Sequence, residues 1–207
     1  AHSYHEVAFT PTILAMQAEA GSREAYAAMG QRERYADRLT DREASFIGQR
    51  DSFYMASVSE TGWPYVQFRG GPPGFVKVID PRTIAYADYR GNRQYLSLGN
   101  LTGDGRISLI LMDYPNRRRL KIWGRAQIVE GDDAKDLLDA LHKPGDPGRP
   151  ERAIVIHIEA IDWNCPSHIP QRLTLAEMQP QIDAMRAQIA QLTAENARLS
   201  QHIEHSI

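Results

Sequence analysis

Seven short segments between residues 52 and 161, each rich in β-branched and aromatic side chains and each closed by turn chemistry, restrict this chain more than any other feature. They read SFYMASVS, WPYVQFR, FVKVID, TIAYAD, RISLILM, RRLKIWGRAQIV and RAIVIHIEAI, and SETG, GGPPG, DPR, TGDG and DYPN punctuate them. Short strands with short connections predict an antiparallel barrel or sandwich. A doubly wound α/β fold would need more helices between strands than RQYLSLGNL and DDAKDLLDALH supply. ISLILM is apolar on both faces, as a central strand is, whereas RLKIWGRAQIV alternates Leu120, Ile122, Ala126 and Ile128 with Lys121, Arg125 and Gln127.

The flanks have a different period. Residues 1–50 read as a helical extension: Thr10 as N-cap with Pro11 at N1 and Gly21 past the end, Ser22 and Gly30 bracketing a second helix, and Thr40 with Glu43 at capping-box spacing opening a third. Residues 51–165 form the β domain, and KPGDPGRP (143–150) is a loop by composition. Residues 172–207 read as a long C-terminal helix. Within it Ile182, Ile189, Asn196 and Ile203 share one seven-residue spacing and Met185, Leu192 and Leu199 the complementary one. This is an a/d seam, and an Asn at one a position fixes register and favours two strands. The seam fits a helix pairing with its copy in another subunit; an amphipathic helix lying on its own barrel is the other reading.

Length and composition suit one globular domain with an appendage, since 207 residues at 42% apolar can bury a sizeable core. The sequence has no run of 18 apolar residues and no charged-then-apolar leader before its first helix, so neither a membrane span nor a signal peptide is expected. The single cysteine, Cys165, has no internal disulfide partner, which agrees with a reducing compartment and a cytoplasmic location. Net charge is −2, yet residues 69–125 carry eleven Lys/Arg against four Asp. A basic middle in an acidic chain points to an anion held locally.

VQFRGGPPGF (66–75) begins as a strand and then breaks its own ladder with glycines and two prolines behind Arg69. Glycines there would let main chain approach a planar ring closely. In YADYRGNRQYLSLGNL a strand ends at Asp88, a tight turn holds Gly91, and Arg93 and Gln94 are placed at a helix start, where free N–H groups and a guanidinium make a phosphate seat. Other chemistries find no support: G-x-S-x-G, C-x-x-C and H-E-x-x-H are all missing from the sequence. Cys165 with His168 reads as a structured turn around Pro166, His157 as a strand residue, and NRRRLK as barrel-wall arginines rather than a nucleic-acid surface.

The segments GWPYVQFRGGPPGF, IAYADYRGNRQ and GRISLILMDYPNRRRLKIWGRA, in this order, resemble the pyridoxamine 5′-phosphate oxidase superfamily of FMN-binding split-barrel proteins over roughly residues 45–165. DWNCPSHI resembles the subgroup of pyridoxamine-phosphate-oxidase-related FMN-binding proteins. The resemblance implies an antiparallel Greek-key split β-barrel, mainly β with helical additions, that holds FMN at a homodimer interface. The flavin contacts then fall on Gln67, Phe68, Arg69, Gly70 and Gly71 beneath the isoalloxazine, on Ala87 and Asp88 near the ribityl chain and phosphate, on Arg93 and Gln94 at the phosphate, and on Arg119 from a later strand. A carboxylate at 88 and an amide at 94 depart from the family pattern and remove positive potential near a dianion. The clamp is then expected to lean on Arg93, Arg90 or the run Arg117 to Arg119. Trp163 is either a wall of the site or a core residue.

The resemblance implies an FMN-dependent oxidoreductase acting on a small molecule, with no catalytic side chain assigned, because the flavin supplies the redox chemistry and Arg69 would stabilise negative charge on its pyrimidine side. True pyridoxamine phosphate oxidases carry an Arg-x-His step near the C-terminus where this chain reads DWNCPSHIPQRL, which argues against vitamin B6 oxidation. The alternatives are a split barrel for another ligand, such as a deazaflavin or haem, and a non-catalytic module whose tail recruits a partner. No partnership with nucleic acid or membrane is expected.

Overall fold

A computed structural model describes residues 4–32, 37–142, 150–163 and 166–205. Expectations for the 143–149 loop and for Cys165 lie outside the described residues. Helices α1 (Tyr4–Ala8), α2 (Pro11–Glu19), α3 (Arg23–Arg32) and α4 (Asp41–Gly48) precede strands β1 (Ser52–Val58), β2 (Pro64–Gly70), β3 (Lys77–Asp80) and β4 (Thr83–Asp88). Helix α5 (Leu96–Gly103) leads to β5 (Arg106–Asp113) and β6 (Arg118–Val129), and a 3-10 turn (Gly131–Ala134) leads to α6 (Lys135–Leu141), β7 (Arg152–Trp163) and α7 (Leu175–Glu204).

The strands form one sheet in the order β2-β1-β5-β6-β7-β4-β3, every neighbouring pair antiparallel. The non-consecutive neighbours β1/β5 and β4/β7 are the long connections of a Greek key. The edge strands β2 and β3 are not bonded to each other, so the sheet is open, yet it curls strongly. Phe53 of β1 stands edge-on to Tyr86 of β4 with centroids 5.2 Å apart, although β5, β6 and β7 separate their strands. This is the split barrel that the sequence implies.

Alternating inward residues fill its interior: Phe53 and Met55, Leu109 and Leu111, Leu120 and Ile122, and Ile154, Ile156 and Ile158 are buried in one cluster with Phe46 and Ile47 of α4. Each such side chain contributes about 1.5–3 kcal/mol by leaving water. β4 is buried on both faces because Ala85 and Ala87, with Ala153 of β7, leave room for α6 to lay Leu137, Leu138 and Leu141 against them. Between β6 and β7 the register shifts at Trp123/Gly124, and a Cβ on Gly124 would stand 2.5 Å from the His157 carbonyl oxygen. Glycine is required there by backbone proximity.

Helix α4 starts as its sequence says: the Thr40 amide donates to Glu43 Oε2 at 3.0 Å, and Arg42 N donates to the Thr40 hydroxyl at 3.3 Å. The free oxygen of Glu43 accepts the Trp163 indole N–H at 2.6 Å, so one capping residue also ties down the end of β7. Three boundaries differ from expectation. Helix α3 runs through Gly30 to Arg32, a glycine in a helix interior costing only about 1 kcal/mol. The short α1 went unread, although Ser3 and Glu6 have capping-box spacing just ahead of it in the sequence. Helix α5 begins at Leu96, not at Arg93, because Arg93 (φ 60°) and Tyr95 (φ 55°) are left-handed and cannot be helical. Among the described residues no helix is long and apolar enough to cross a membrane.

Candidate functional site

Strand β2 alternates, so Tyr65, Gln67 and Arg69 share a face while Val66 and Phe68 point the other way. Arg69, at the end of β2, reaches across the split: its Nη1 lies 3.0 Å from Asp88 Oδ1 at the end of β4. Asp88 Oδ2 meets Arg152 Nη1 of β7 at 2.9 Å, and Asp88 and Arg152 are direct register partners on β4 and β7. Asp88 is only 4% exposed, so the pair of guanidiniums is what permits its charge to be buried. The carboxylate that departs from the family pattern is therefore neutralised by two guanidiniums.

Arg152 also donates through Nε to Glu130 at 2.6 Å and through Nη2 to Glu151 at 3.0 Å. Burial works against its charge, but the hydrogen bonds it donates to Glu130 and Asp88 outweigh that and raise its pKa above the ordinary guanidinium value. Burial likewise pushes the Tyr86 phenol up, with Arg69 opposing, so Tyr86 stays neutral. Arg69 Nε is buried and, among the described residues, has no hydrogen-bond partner. An orphan donor of this kind costs about 1–3 kcal/mol unless something accepts from it.

Two adjoining cavities meet at Arg69, Asp88, Tyr89 and Gly91. One, of about 280 Å³, is polar and is walled by Gln67, Arg90, Arg93, Gln94, Ser97 and Arg152 with Tyr65 and Tyr95. The other, of about 170 Å³, is walled by Gly70, Gly71, Pro72, Phe75, Tyr86, Ala87 and Leu141. Together they fall within the range of small-ligand sites, about 300–1,000 Å³. The Ser97 hydroxyl donates to Gln67 Oε1 at 2.5 Å and fixes that amide at the polar end. The loop over this end is strained: Gly91, Arg93 and Tyr95 all have positive φ, and Gln94 N donates to Asn92 Oδ1 at 3.1 Å. A left-handed non-glycine residue costs roughly 1–2 kcal/mol, and such positions cluster where ligands are clamped.

Eight of the ten residues expected at a flavin site line these cavities: Gln67, Arg69, Gly70, Gly71, Ala87, Asp88, Arg93 and Gln94. Phe68 does not; its side chain is 57% exposed on the other face, packed edge-on to Tyr54 at 5.5 Å. Arg119 does not either; it sits on β6 opposite Met112, with Nε buried and, among the described residues, without a partner. Gly71 is bare for an internal reason, since a Cβ there would come 2.7 Å from the ring of Phe75, so the planar ring it admits is the chain's own. Arg93 and Gln94 precede the helix by three and two residues, which makes them loop residues rather than members of its first turn.

Arg90 lines the polar cavity but is 3.8 Å from Glu151, whereas Arg93 is exposed and, among the described residues, pairs with no carboxylate. The run Arg117 to Arg119 lines neither cavity; Arg118 lies over Trp163 at 4.9 Å, and Trp163 packs on the core through Phe46. Arg152, Ser97, Tyr65 and Phe75 were not anticipated. For Arg152 the only available signal was the pairing of β4 with β7, which two isolated segments do not reveal.

The sequence profile described as Pyridoxamine 5′-phosphate oxidase matches residues 39–165, more than half of the chain. The chain belongs to the pyridoxamine 5′-phosphate oxidase family. No curated protein matches it. Among solved structures, a HupZ variant from Group A Streptococcus is similar at 19% identity and TM-score 0.50, covering 61% of this chain and 99% of that one. A Lactobacillus delbrueckii protein provisionally described as pyridoxamine 5′-phosphate oxidase has 22% identity and TM-score 0.49, covering 62% and 97%. An FMN-binding protein from Syntrophomonas wolfei has 14% identity and TM-score 0.48, covering 72% and 97%. At 19% identity the likeness to the HupZ variant speaks to the fold alone.

Proposed function

We propose that this chain is an FMN-dependent oxidoreductase acting on a small organic molecule, working as a homodimer. The observation that carries the reading is Arg69: its Nη1 is held by Asp88 while its Nε stays buried and, among the described residues, unpartnered between a cation-lined cavity and an aromatic one. A phosphorylated, planar, hydrogen-bonding ligand matches both halves.

On this reading Arg93, with Gln94 and the strained loop behind it, takes the phosphate. Ala87 and Asp88 border the ribityl chain. Gln67, Arg69 and the main chain of residues 69–71 face the isoalloxazine, with Phe75 and Tyr86 as its apolar wall. Arg119 would reach the cofactor of the opposite subunit, as the family's shared sites imply. Bound FMN would supply hydride or single-electron transfer. The chain's own part is to bind and orient it and to keep positive charge at its pyrimidine edge. Among the described residues no histidine lines either cavity, which favours a flavin over a haem.

The test is optical. The purified protein should show the two visible bands of oxidised flavin, bleach on anaerobic photoreduction, and recover faster with an organic acceptor than with oxygen alone. A single near-ultraviolet deazaflavin band, a Soret band, or no chromophore after FMN addition would reject the reading.

A further inference from the structure

We propose that α7 pairs in parallel and in register with α7 of a second copy of this chain, as a two-stranded coiled coil centred on Asn196. The seam is longer than the tail's core heptads indicate: Leu175, Ile182, Ile189, Asn196 and Ile203 occupy a positions, and Met178, Met185, Leu192 and Leu199 occupy d positions, over a helix of 30 residues, about 45 Å. Except for half-buried Ile182, every one of them is exposed, with Ile189 at 62% and Leu192 at 51%. Helices draw most of their stability from packing an apolar face, and α7 leaves all of this one but Ile182 exposed among the described residues.

The occupant follows from the residues of the seam. β-branched Ile at three a positions with Leu at two d positions is the pattern of parallel dimers. Asn196 decides the orientation. In a parallel, in-register pair it meets the partner's Asn196, amide to amide. In any antiparallel register it meets a d residue, and Met178, Met185, Leu192 and Leu199 are all apolar. A buried amide facing only methylenes is left without a hydrogen bond. The e and g positions, Gln179, Arg186, Thr193, Ser200, Gln181, Gln188, Glu195 and His202, place no like-charged carboxylate pair across the seam. Pro180 falls at an f position, pointing away from it.

A parallel coil puts both barrels at the same end. Residues 166–174 lead into α7 while held on the barrel, with Ile169 buried and Gln171 Nε2 donating to the Pro115 carbonyl at 2.9 Å. Tethering of this kind raises the effective concentration of one barrel for the other to roughly millimolar, which would hold a two-subunit flavin site together at low protein concentration. Only this consequence rests on the proposed function; the helix pairing does not.

The experiment uses the full chain with Cys165→Ser and Leu199→Cys, which leaves Asn196 in place. Mild oxidation should convert most of it to a disulfide-linked dimer, with or without FMN present, and adding Ile189→Asp and Leu192→Asp should lower the yield at least tenfold. Light scattering of the unmodified chain should give a dimer. Absence of the 199 cross-link, cross-linking undiminished by the two aspartates, a mixed disulfide between Leu199→Cys and Ile182→Cys chains, or a monomeric mass would each overturn the proposal. Because the cross-link reports on the tail in flavin-free protein, its failure is distinct from failure to bind flavin.

Discussion

Arg69 Nη1 and Asp88 Oδ1 lie 3.0 Å apart and join β2 to β4, strands with four others between them in the sheet. The ion pair thus spans the split of the barrel, at the seam where the two cavities meet. Asp88→Ala leaves Arg69 and the mostly buried Arg152 without their shared counter-charge. Removing one partner of a buried pair costs about 3–5 kcal/mol, and Asp88→Ala should approach that, measured as a fall in urea midpoint. Arg69→Met should cost less, because Arg152 still satisfies Asp88. A double-mutant cycle should return coupling above about 1 kcal/mol; additive effects would mean the bridge does not join the strands in solution.

Arg93 is exposed and left-handed, so its side chain contributes little to the fold. Arg93→Ala should leave the melting temperature within about 2 °C and weaken FMN retention at least tenfold, read by fluorescence of flavin released on dialysis. Retention equal to wild type would remove Arg93 from the phosphate site.

Gly124→Ala tests the close approach of β6 to β7. With a Cβ 2.5 Å from the His157 carbonyl oxygen, the bulge must shift, and overpacking of this kind costs about 1–3 kcal/mol. Thermal unfolding should drop accordingly, while Gly48→Ala, where a Cβ meets nothing, serves as the control.

Glu43 links α4 to β7 and sets an acid limit. Burial raises its pKa, but hydrogen bonds from the Thr40 side chain, the Trp163 indole and the Thr40 amide outweigh this and hold it below the ordinary carboxylate value. A group depressed on folding stabilises the native state fully above its unfolded pKa, about 4.3 for Glu, and loses that contribution as pH falls through the folded value. The stability advantage of wild type over Glu43→Gln should therefore be constant from pH 7 to about 5 and shrink below pH 4, in urea titrations at each pH.

The strands were legible because each carries its own period: β6 was read from the sequence at its observed ends, Arg118 and Val129. Gln67 came with the family resemblance, as part of a continuous run to Gly71, and the period of two that puts Phe68 on the other face was not applied to it. What escaped was long-range. Arg152 acts on Asp88 only because β4 and β7 pair with those two residues in register. The start of α5 was misplaced because the left-handed Arg93 and Tyr95 look like ordinary helix residues in a one-dimensional string. Gly71 was read as space for a ligand, whereas Phe75, four residues on, turns back to fill it.

The most direct test of the account is a titration of flavin-free protein with FMN, followed by quenching of flavin fluorescence. The account predicts saturable binding at one FMN per chain that Arg69→Met and Arg93→Ala each weaken. Fluorescence unchanged by excess protein, or binding indifferent to both substitutions, would contradict it.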